Sequence, residues 1–312
     1  MRSSPMNIVQ GIENYNSSSQ SILTIGTFDG VHIGHQKIIG SLVQQAKEKK
    51  LQSSLLTFFP HPRMVLQKQS SLKLIDTLKE KEFLLKKLGI DNLIIHPFSE
   101  EFSQLTAIEF TRDLLVDKLK IASLFIGYDH RFGKNREASV DDVIIYGKTY
   151  GFDLTVIPAQ DIESITVSST KVRTAIEESD FEKVNQFLGR PFQLNGIVTQ
   201  GEGLGRTIGF PTANLEIPES YKLIPPKGVY MVDVEHRNRS YKGMMNIGNR
   251  PTLNGSHQTI EVHLFDFDQK IYGDSLKVLI IKKIREELKF DSLEALKTQL
   301  AVDQEICKRT GA

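Results

Sequence analysis

A doubly wound α/β domain, followed by an antiparallel barrel or sandwich with one terminal helix, is the fold predicted by the sequence. Three observations carry it. The chain has 312 residues, enough for two cores at about 100–200 residues per domain. Up to about Phe187, short apolar runs alternate with stretches of helical period, the rhythm of βαβ units and a parallel sheet. After about Gly189, runs rich in Val, Ile, Tyr and Thr follow one another with only turn chemistry between them. The change of rhythm sets the boundary near Glu182–Arg190 and gives domains 1–184 and 185–312.

The first domain's expected strands are Ile22–Gly26, Ser53–Phe59, Asn92–His96, Leu124–Gly127 and Leu154–Ile157. Between the first two, Ile38, Ile39, Leu42, Val43 and Ala46 share one helical face, with Gln44, Gln45, Lys47 and Lys49 largely on the other. Asp76–Leu88 and Ile108–Leu119 read as helices for the same reason. In such a sheet ligands bind beyond the carboxyl ends of the strands, at the switch in strand order. The second domain offers strands at Phe192–Thr199, Gly228–Glu235, Tyr241–Ile247, Thr259–Phe267 and Leu276–Ile284. Leu293, Leu296, Leu300 and Ile306 then mark an amphipathic helix over Ser292–Lys308, capped by Ser292 or Asp291.

Composition excludes several classes of function. Lys plus Arg is 39 against 38 Asp plus Glu, so the overall basic footprint of a duplex-binding protein is missing. The single cysteine, Cys307, forbids an intramolecular disulfide framework and any multi-cysteine metal cluster. Apolar runs such as Val278–Ile281 are too short to span a bilayer, and residues 1–20 lack a signal peptide's apolar segment. A soluble cytoplasmic protein, monomeric or weakly self-associating, is expected.

Gly26-Thr-Phe-Asp-Gly-Val-His-Ile-Gly-His35 follows the first strand and opens the first helix. His32 and His35 flank Gly34 there, so both imidazoles can face one point near a helix N-terminus, where unpaired N–H groups favour an anion. Two such donors can stabilise charge developing on a phosphate, although a core histidine pair in a Gly-rich turn has the same spacing. Gly26 and Gly30 permit the tight turn. Ser168-Ser169-Thr170, with Lys171 and Arg173, suits either a triphosphate tail or an ordinary helix cap. Asp129 reads equally as a polar ligand and as a turn cap. His61, between prolines, reads as an orienting group for phosphate or metal, or as part of a rigid loop. Gly127 to Gly133-Lys134 fails the P-loop spacing, and Gly203–Gly205–Gly209 overshoots the dinucleotide fingerprint.

The second constellation is Gly201–Asn214. Gly201, Gly203 and Gly205 form a flap whose amides can cover phosphates. Thr212 and Asn214 lie two apart on one face of an extended segment and offer hard oxygens suited to Mg²⁺. A Gly-rich hairpin before a strand has the same pattern without any ligand. Glu261, between Ile260 and Val262, points to the face opposite its neighbours and reads as a solvent-facing acid on an alternating strand. Cys307 is a packed residue of the last helix.

These stretches carry a resemblance. The His-x-Gly-His string is similar to the nucleotidyltransferases that transfer AMP or CMP. With Thr57-Phe-Phe-Pro-His-Pro-Arg63, Ile126–Arg136 and Val167-Ser-Ser-Thr-Lys-Val-Arg173, the first half resembles the prokaryotic bifunctional riboflavin kinase/FAD synthetases. Phe59 stands where that family usually has an acid, and His130 where it usually has Phe. Gly201–Asn214 closely resembles the riboflavin kinase signature, flanked by matching stretches Pro225–Tyr230, Asn246–Thr252 and Thr259–Phe265. The resemblance implies a Rossmann-like nucleotidyltransferase domain and a riboflavin kinase barrel, acting with ATP, Mg²⁺, riboflavin, FMN and FAD. It implies catalytic His32, His35 and Glu261, and nucleotide contacts at Gly26, Phe28, Asp29, His32, His35, Ser168, Ser169, Thr170 and Arg173. Flavin would lie against Phe59, His61 and Asp129 in the first domain and Arg285 and Phe290 in the second. Kinase nucleotide contacts would be Gly201, Gly203, Gly205, Arg206, Thr212 and Asn214, the last two also holding metal. An adenylyltransferase with another acceptor, such as phosphopantetheine or nicotinamide mononucleotide, conflicts with the kinase-like half. A non-catalytic barrel that senses flavin or holds RNA conflicts with retained Thr212, Asn214 and Glu261.

Overall fold

The computed structural model describes residues 5–67, 71–128, 130–158, 167–201, 203–252 and 255–309. Two compact units divide the chain, Met1–Ser169 and Thr170–Ala312.

The first unit is built on a parallel sheet of β1 (Asn7–Gln10), β2 (Ser21–Ile25), β3 (Gln52–Phe58), β4 (Asn92–His96), β5 (Ile121–Gly127) and β6 (Asp153–Ile157). Their order is β1-β4-β3-β2-β5-β6. Successive residues go to opposite faces of a strand, and here both faces are covered. Ile22, Leu55 and Leu93 join Ile39, Leu42, Val43 and Leu85 in one core. Their neighbours Leu23, Leu56 and Ile94 join Phe110, Leu115, Leu124 and Val143 in the other. That is why these strands read as continuous apolar runs rather than alternating ones. Strands β3 and β4 extend the sheet from one side of β2, and β5 and β6 from the other, so the switch in strand order lies between β2 and β5.

Helix α1 (Ile33–Lys49) buries Ile39, Leu42, Val43 and Ala46, the face expected from periodicity, and ends at Lys50 in the left-handed region. Next come α2 (Pro62–Leu66) and α3 (Leu78–Lys87), whose Thr77–Glu80 capping box starts it two residues into the expected segment. Then α4 (Ala107–Glu109) continues in a π-wound segment, Phe110–Lys118, and α5 (Val140–Tyr150) follows. Three of these elements escaped the pattern. Helix α2 has only five residues, strand β1 is four largely exposed residues, and α5 exposes Ile144 and Ile145, which blurs its apolar period.

The second unit is a closed barrel. Helix α6 (Ser169–Glu177) begins at the division, followed by α7 (Phe181–Leu188), β7 (Phe192–Thr199), α8 (Leu204–Thr207) and β8 (Ala213–Glu216). Strands β9 (Gly228–His236), β10 (Arg239–Thr252), β11 (Gly255–Leu264) and β12 (Ser275–Arg285) and helix α9 (Leu293–Arg309) complete it. The barrel order is β10-β11-β8-β7-β12-β9, which decides between barrel and sandwich. The division at Ser169/Thr170 precedes the change of rhythm because α7 belongs with the strands after it. Phe181 meets the Phe192 and Tyr230 rings. Asn185 donates to Ile280 O and accepts from Phe192 N–H.

Helix α9 corrects an expectation. Leu293 and Ile306, predicted for its apolar face, are exposed at 54% and 42%. The buried positions are Asp303 and Cys307. Asp303 turns inward because Arg285 of β12 meets it bidentately, Nε–Oδ1 at 3.0 Å and Nη2–Oδ2 at 2.7 Å. Ser292 caps the helix, accepting from Ala295 N–H.

Candidate active sites

Beyond the carboxyl ends of β2 and β5 opens a cleft of about 420 Å³, lined by Gly26, Thr27, Phe28, His32, Gly34, His35, Lys37, Ser41, Gly127, His130 and Val167–Ser169. The chain reaches it through a strained turn. Phe28 has φ 45° and Val31 φ 36°, left-handed values that cost a bulky residue about 1–3 kcal/mol and persist only where the surroundings impose them. His32 caps α1, its Nδ1 accepting the His35 N–H at 3.3 Å. Neutral His32 therefore carries its proton on Nε2 and is a donor there. The His32 and His35 rings stack with centroids 3.6 Å apart, and Phe28 meets His35 edge-on. Burial lowers the pKa of both, His32 to about 4, with Asp76 acting in the opposite direction. His35 falls well below its usual value through burial, then through His32 and Lys81. Its Nδ1 is buried without a hydrogen-bond partner among the described residues. Both imidazoles are thus neutral at the cleft wall, His32 with its proton on Nε2.

Ser168 and Ser169 line this cleft, and Ser169 Oγ donates to Asp29 O at 2.9 Å. Thr170 and Arg173, expected beside them, fall in the second compact unit. Asp29 is not among the residues that line the cleft. It is buried, and its carboxylate accepts the Ile75 and Asp76 N–H groups instead of lining the cleft. His61 caps α2, its Nδ1 accepting the Arg63 N–H. Phe59 packs against the α1-side core. Asp129 lies outside the described residues. Lys37 and Ser41, one and two turns into α1, lacked any motif to announce them.

The barrel's cavity, about 310 Å³, is lined by Gly203, Gly205, Phe210, Thr212, Asn214, Asn246, Glu261, His263, Arg285, Glu287, Leu288 and Phe290, with Leu296 and Leu300 of α9. Register builds it. Asn214 pairs with Glu261, Glu261 with Asn246, Asn246 with Val229, and Val229 with Arg285. Directly opposed residues share a face, so one row around the barrel carries an amide, a carboxylate, a second amide and a guanidinium. Thr212, two residues from Asn214, donates its hydroxyl to Glu261 Oε2 at 3.2 Å. His263 Nδ1 stands 2.7 Å from Pro211 O and ties β11 to the same segment. Arg285 lines the cavity, but its guanidinium is committed to Asp303, with Phe290 against it.

The Gly-rich flap contains α8 rather than an open loop. Its glycines allow close approach to the row. A methyl on Gly201 would stand 2.0 Å from Asn214 Nδ2, and one on Gly205 2.3 Å from Phe210 O. Arg206 faces a different cavity, of about 560 Å³, with Pro211, Phe267, Lys270 and Tyr272. Thr212 is common to both cavities. Among the described residues, no group of three or more His, Cys, Asp or Glu could hold a metal ion.

Comparison with known proteins matches this division. Residues 14–171 match the family model for FAD synthetase and residues 188–310 that for riboflavin kinase. Bifunctional riboflavin kinase/FMN adenylyltransferase from Escherichia coli K12 is 38% identical over 302 residues, covering 96% of each chain. Its counterpart from Bacillus subtilis is 37% identical over 92% of this chain and 91% of that one. A crystal structure from Streptococcus pneumoniae, described as a macrolide-efflux protein, aligns with TM-score 0.86 and 30% identity over 98% of this chain and 99% of that one. Among the described residues here, no helix is long and apolar enough to cross a membrane. Both halves, the full-length identity and the fold agree: the chain belongs to the bifunctional riboflavin kinase/FMN adenylyltransferase family.

Proposed function

We propose that the two sites divide the family's two reactions between them. The barrel forms FMN and ADP from riboflavin and ATP, and the cleft beyond β2 and β5 forms FAD and diphosphate from FMN and a second ATP. Domains 1–184 and 185–312 carry adenylyl transfer and phosphorylation respectively. The observation that carries the kinase assignment is the row Asn214–Glu261–Asn246, with the Thr212 hydroxyl on Glu261.

In the barrel, Glu261 takes the proton of the ribityl 5′-hydroxyl at a carboxylate oxygen, while Thr212 and Asn246 orient it. The apolar wall of Leu288, Phe290, Leu296 and Leu300 suits the flavin ring. The cavity of Arg206, Lys270 and Tyr272 suits the nucleotide, and the shared Thr212 is where phosphate and hydroxyl meet. Gly201, Gly203 and Gly205 let the flap close over phosphates. Thr212 and Asn214 present the hydroxyl and amide oxygens that fit Mg²⁺, and they would hold it. Bound there, the ion supplies neutralisation of phosphate charge.

In the cleft, a phosphate oxygen of FMN attacks the α-phosphorus of ATP and diphosphate leaves. His32 donates from Nε2 to the developing phosphate charge and His35 supports it from the stacked ring, without a proton leaving either. Gly26 and Phe28 shape the wall, Ser168 and Ser169 offer hydroxyls, and Thr170 and Arg173 serve the triphosphate tail. Phe59, His61 and Asp129 are assigned to the flavin of this site. No covalent enzyme intermediate is needed, because positioning and charge stabilisation suffice. The enzyme is cytoplasmic, acts on small molecules rather than nucleic acid or membrane, and is a monomer or weak homo-oligomer.

Two variants test the division. Asn214→Ala is expected to abolish FMN formation and spare conversion of supplied FMN to FAD. The pair His32→Ala and His35→Ala is expected to do the reverse. A folded variant that lost both activities would contradict two separate sites.

A further inference from the structure

Three charged side chains are buried around the Gly26–His35 turn without lining its cleft: Asp29, Asp76 and Lys81, at 1%, 1% and 3% exposure. Burying a lysine is costly unless partners compensate. Here Asp29 and Asp76 oppose the lowering of its pKa by burial. Its Nζ donates to Thr27 O at 2.7 Å. Lys81 lies on α3, whose capping box is itself buried at Thr77 and Glu80. Asp29 binds the backbone just before that helix, accepting from Ile75 and Asp76. The turn is therefore anchored to α3 twice, by a carboxylate reaching out and an ammonium reaching in. Anchoring is what Phe28 and Val31 require, since both hold left-handed φ values.

We propose that Lys81 is a positioning residue for adenylyl transfer: through the Thr27 carbonyl it holds the Gly26–Phe28 turn, and so the wall of the cleft, against His32 and His35. The proposal rests on the reading of that cleft as the adenylylation site. Charge supports the geometry. Lys81 lowers the pKa of His35, as burial and His32 also do, while Asp76 raises that of His32. Lys37, from α1, lines the same cleft. Removing the ammonium therefore disturbs the turn and lets His35 take a proton at higher pH.

The test compares wild type, Lys81→Met and Lys81→Arg in the full chain, assaying riboflavin to FMN and, separately, supplied FMN to FAD. Wild type that makes no FAD contradicts the reading of the cleft. With wild type active, Lys81→Met is expected to keep its kinase rate within about twofold, while kcat for FAD formation falls at least about tenfold. The acid limb of its pH profile is expected to move to higher pH. Lys81→Arg, which keeps a donor for Thr27 O, is expected to restore most of the rate. A folded Lys81→Met with wild-type kcat overturns the proposal. So does a lower kcat with an unmoved pH profile, which marks lost stability alone. Should Lys81→Met unfold the first unit, a folded Lys81→Arg that forms no FAD overturns it, and one that forms FAD supports it.

Discussion

Replacing Glu261 by Gln keeps the length and packing of the side chain and removes only the charge that can accept a proton. FMN formation is expected to fall at least about 100-fold, the range for loss of a positioned base. Supplied FMN should still become FAD, both rates being read by chromatography of the flavins. His32 makes a prediction of the opposite kind, about stability. Burial holds its pKa near 4 in the folded chain against 6.5 when free. Between those values the unfolded chain binds a proton that the folded one does not, so stability contributed at neutral pH is lost as pH falls from 6.5 toward 4. The loss reaches about 3 kcal/mol. Thermal melts of wild type and His32→Asn from pH 7.5 to 4.5 check it, and the wild type is expected to lose more. Single residues were legible where a motif gathered them. The histidine pair, Thr212, Asn214 and Glu261 all line the expected cavities. Asp29 sits in the same motif, but its carboxylate accepts from the backbone of Ile75 and Asp76, contacts the motif alone does not announce. The contacts of His263 and Lys81 had no local signal, because Pro211 is 52 residues from His263 and Thr27 is 54 from Lys81.

Helix α9 shows how an element is decided by a single distant contact. Leu300 and Cys307 lie on its buried side, but Asp303 between them is anchored by Arg285, which an apolar period does not reveal. Asp303→Ala would leave the Arg285 guanidinium without its carboxylate, with a cost of about 3 kcal/mol in denaturant unfolding. Because Leu296 and Leu300 line the kinase cavity, the KM for riboflavin is expected to rise in the same variant while FMN-to-FAD conversion is unchanged. The flap is a second case. Its glycines read as a flap over phosphates, while their close approach to Asn214 and Phe210 and the short helix α8 within the flap appear only in the structure. Gly201→Ala is expected to displace Asn214 and lower kcat for FMN formation at least about tenfold, measured by initial rates. Central strands and α1 were read correctly because burial on both faces, or on one helical face, is written in consecutive residues. Strand β1, with four residues, had too little pattern to announce itself.

On the scale of the molecule, one chain carries a doubly wound sheet with its cleft at the switch in strand order, and a barrel with four polar residues among five registered positions of one row. The change of rhythm along the sequence separated these folds. Closure of the barrel depended on pairings between remote strands, which no local pattern encodes. Near-equal numbers of acidic and basic residues leave the chain without an overall basic footprint. The central claim is that two consecutive reactions are performed by two separate sites. Purified protein incubated with riboflavin, ATP and Mg²⁺, and sampled over time by flavin chromatography, tests it most directly. FMN should appear first and FAD after it, with FAD rising as FMN falls. Riboflavin left unchanged beside an active control enzyme, or FMN that accumulates without any FAD, would contradict the account.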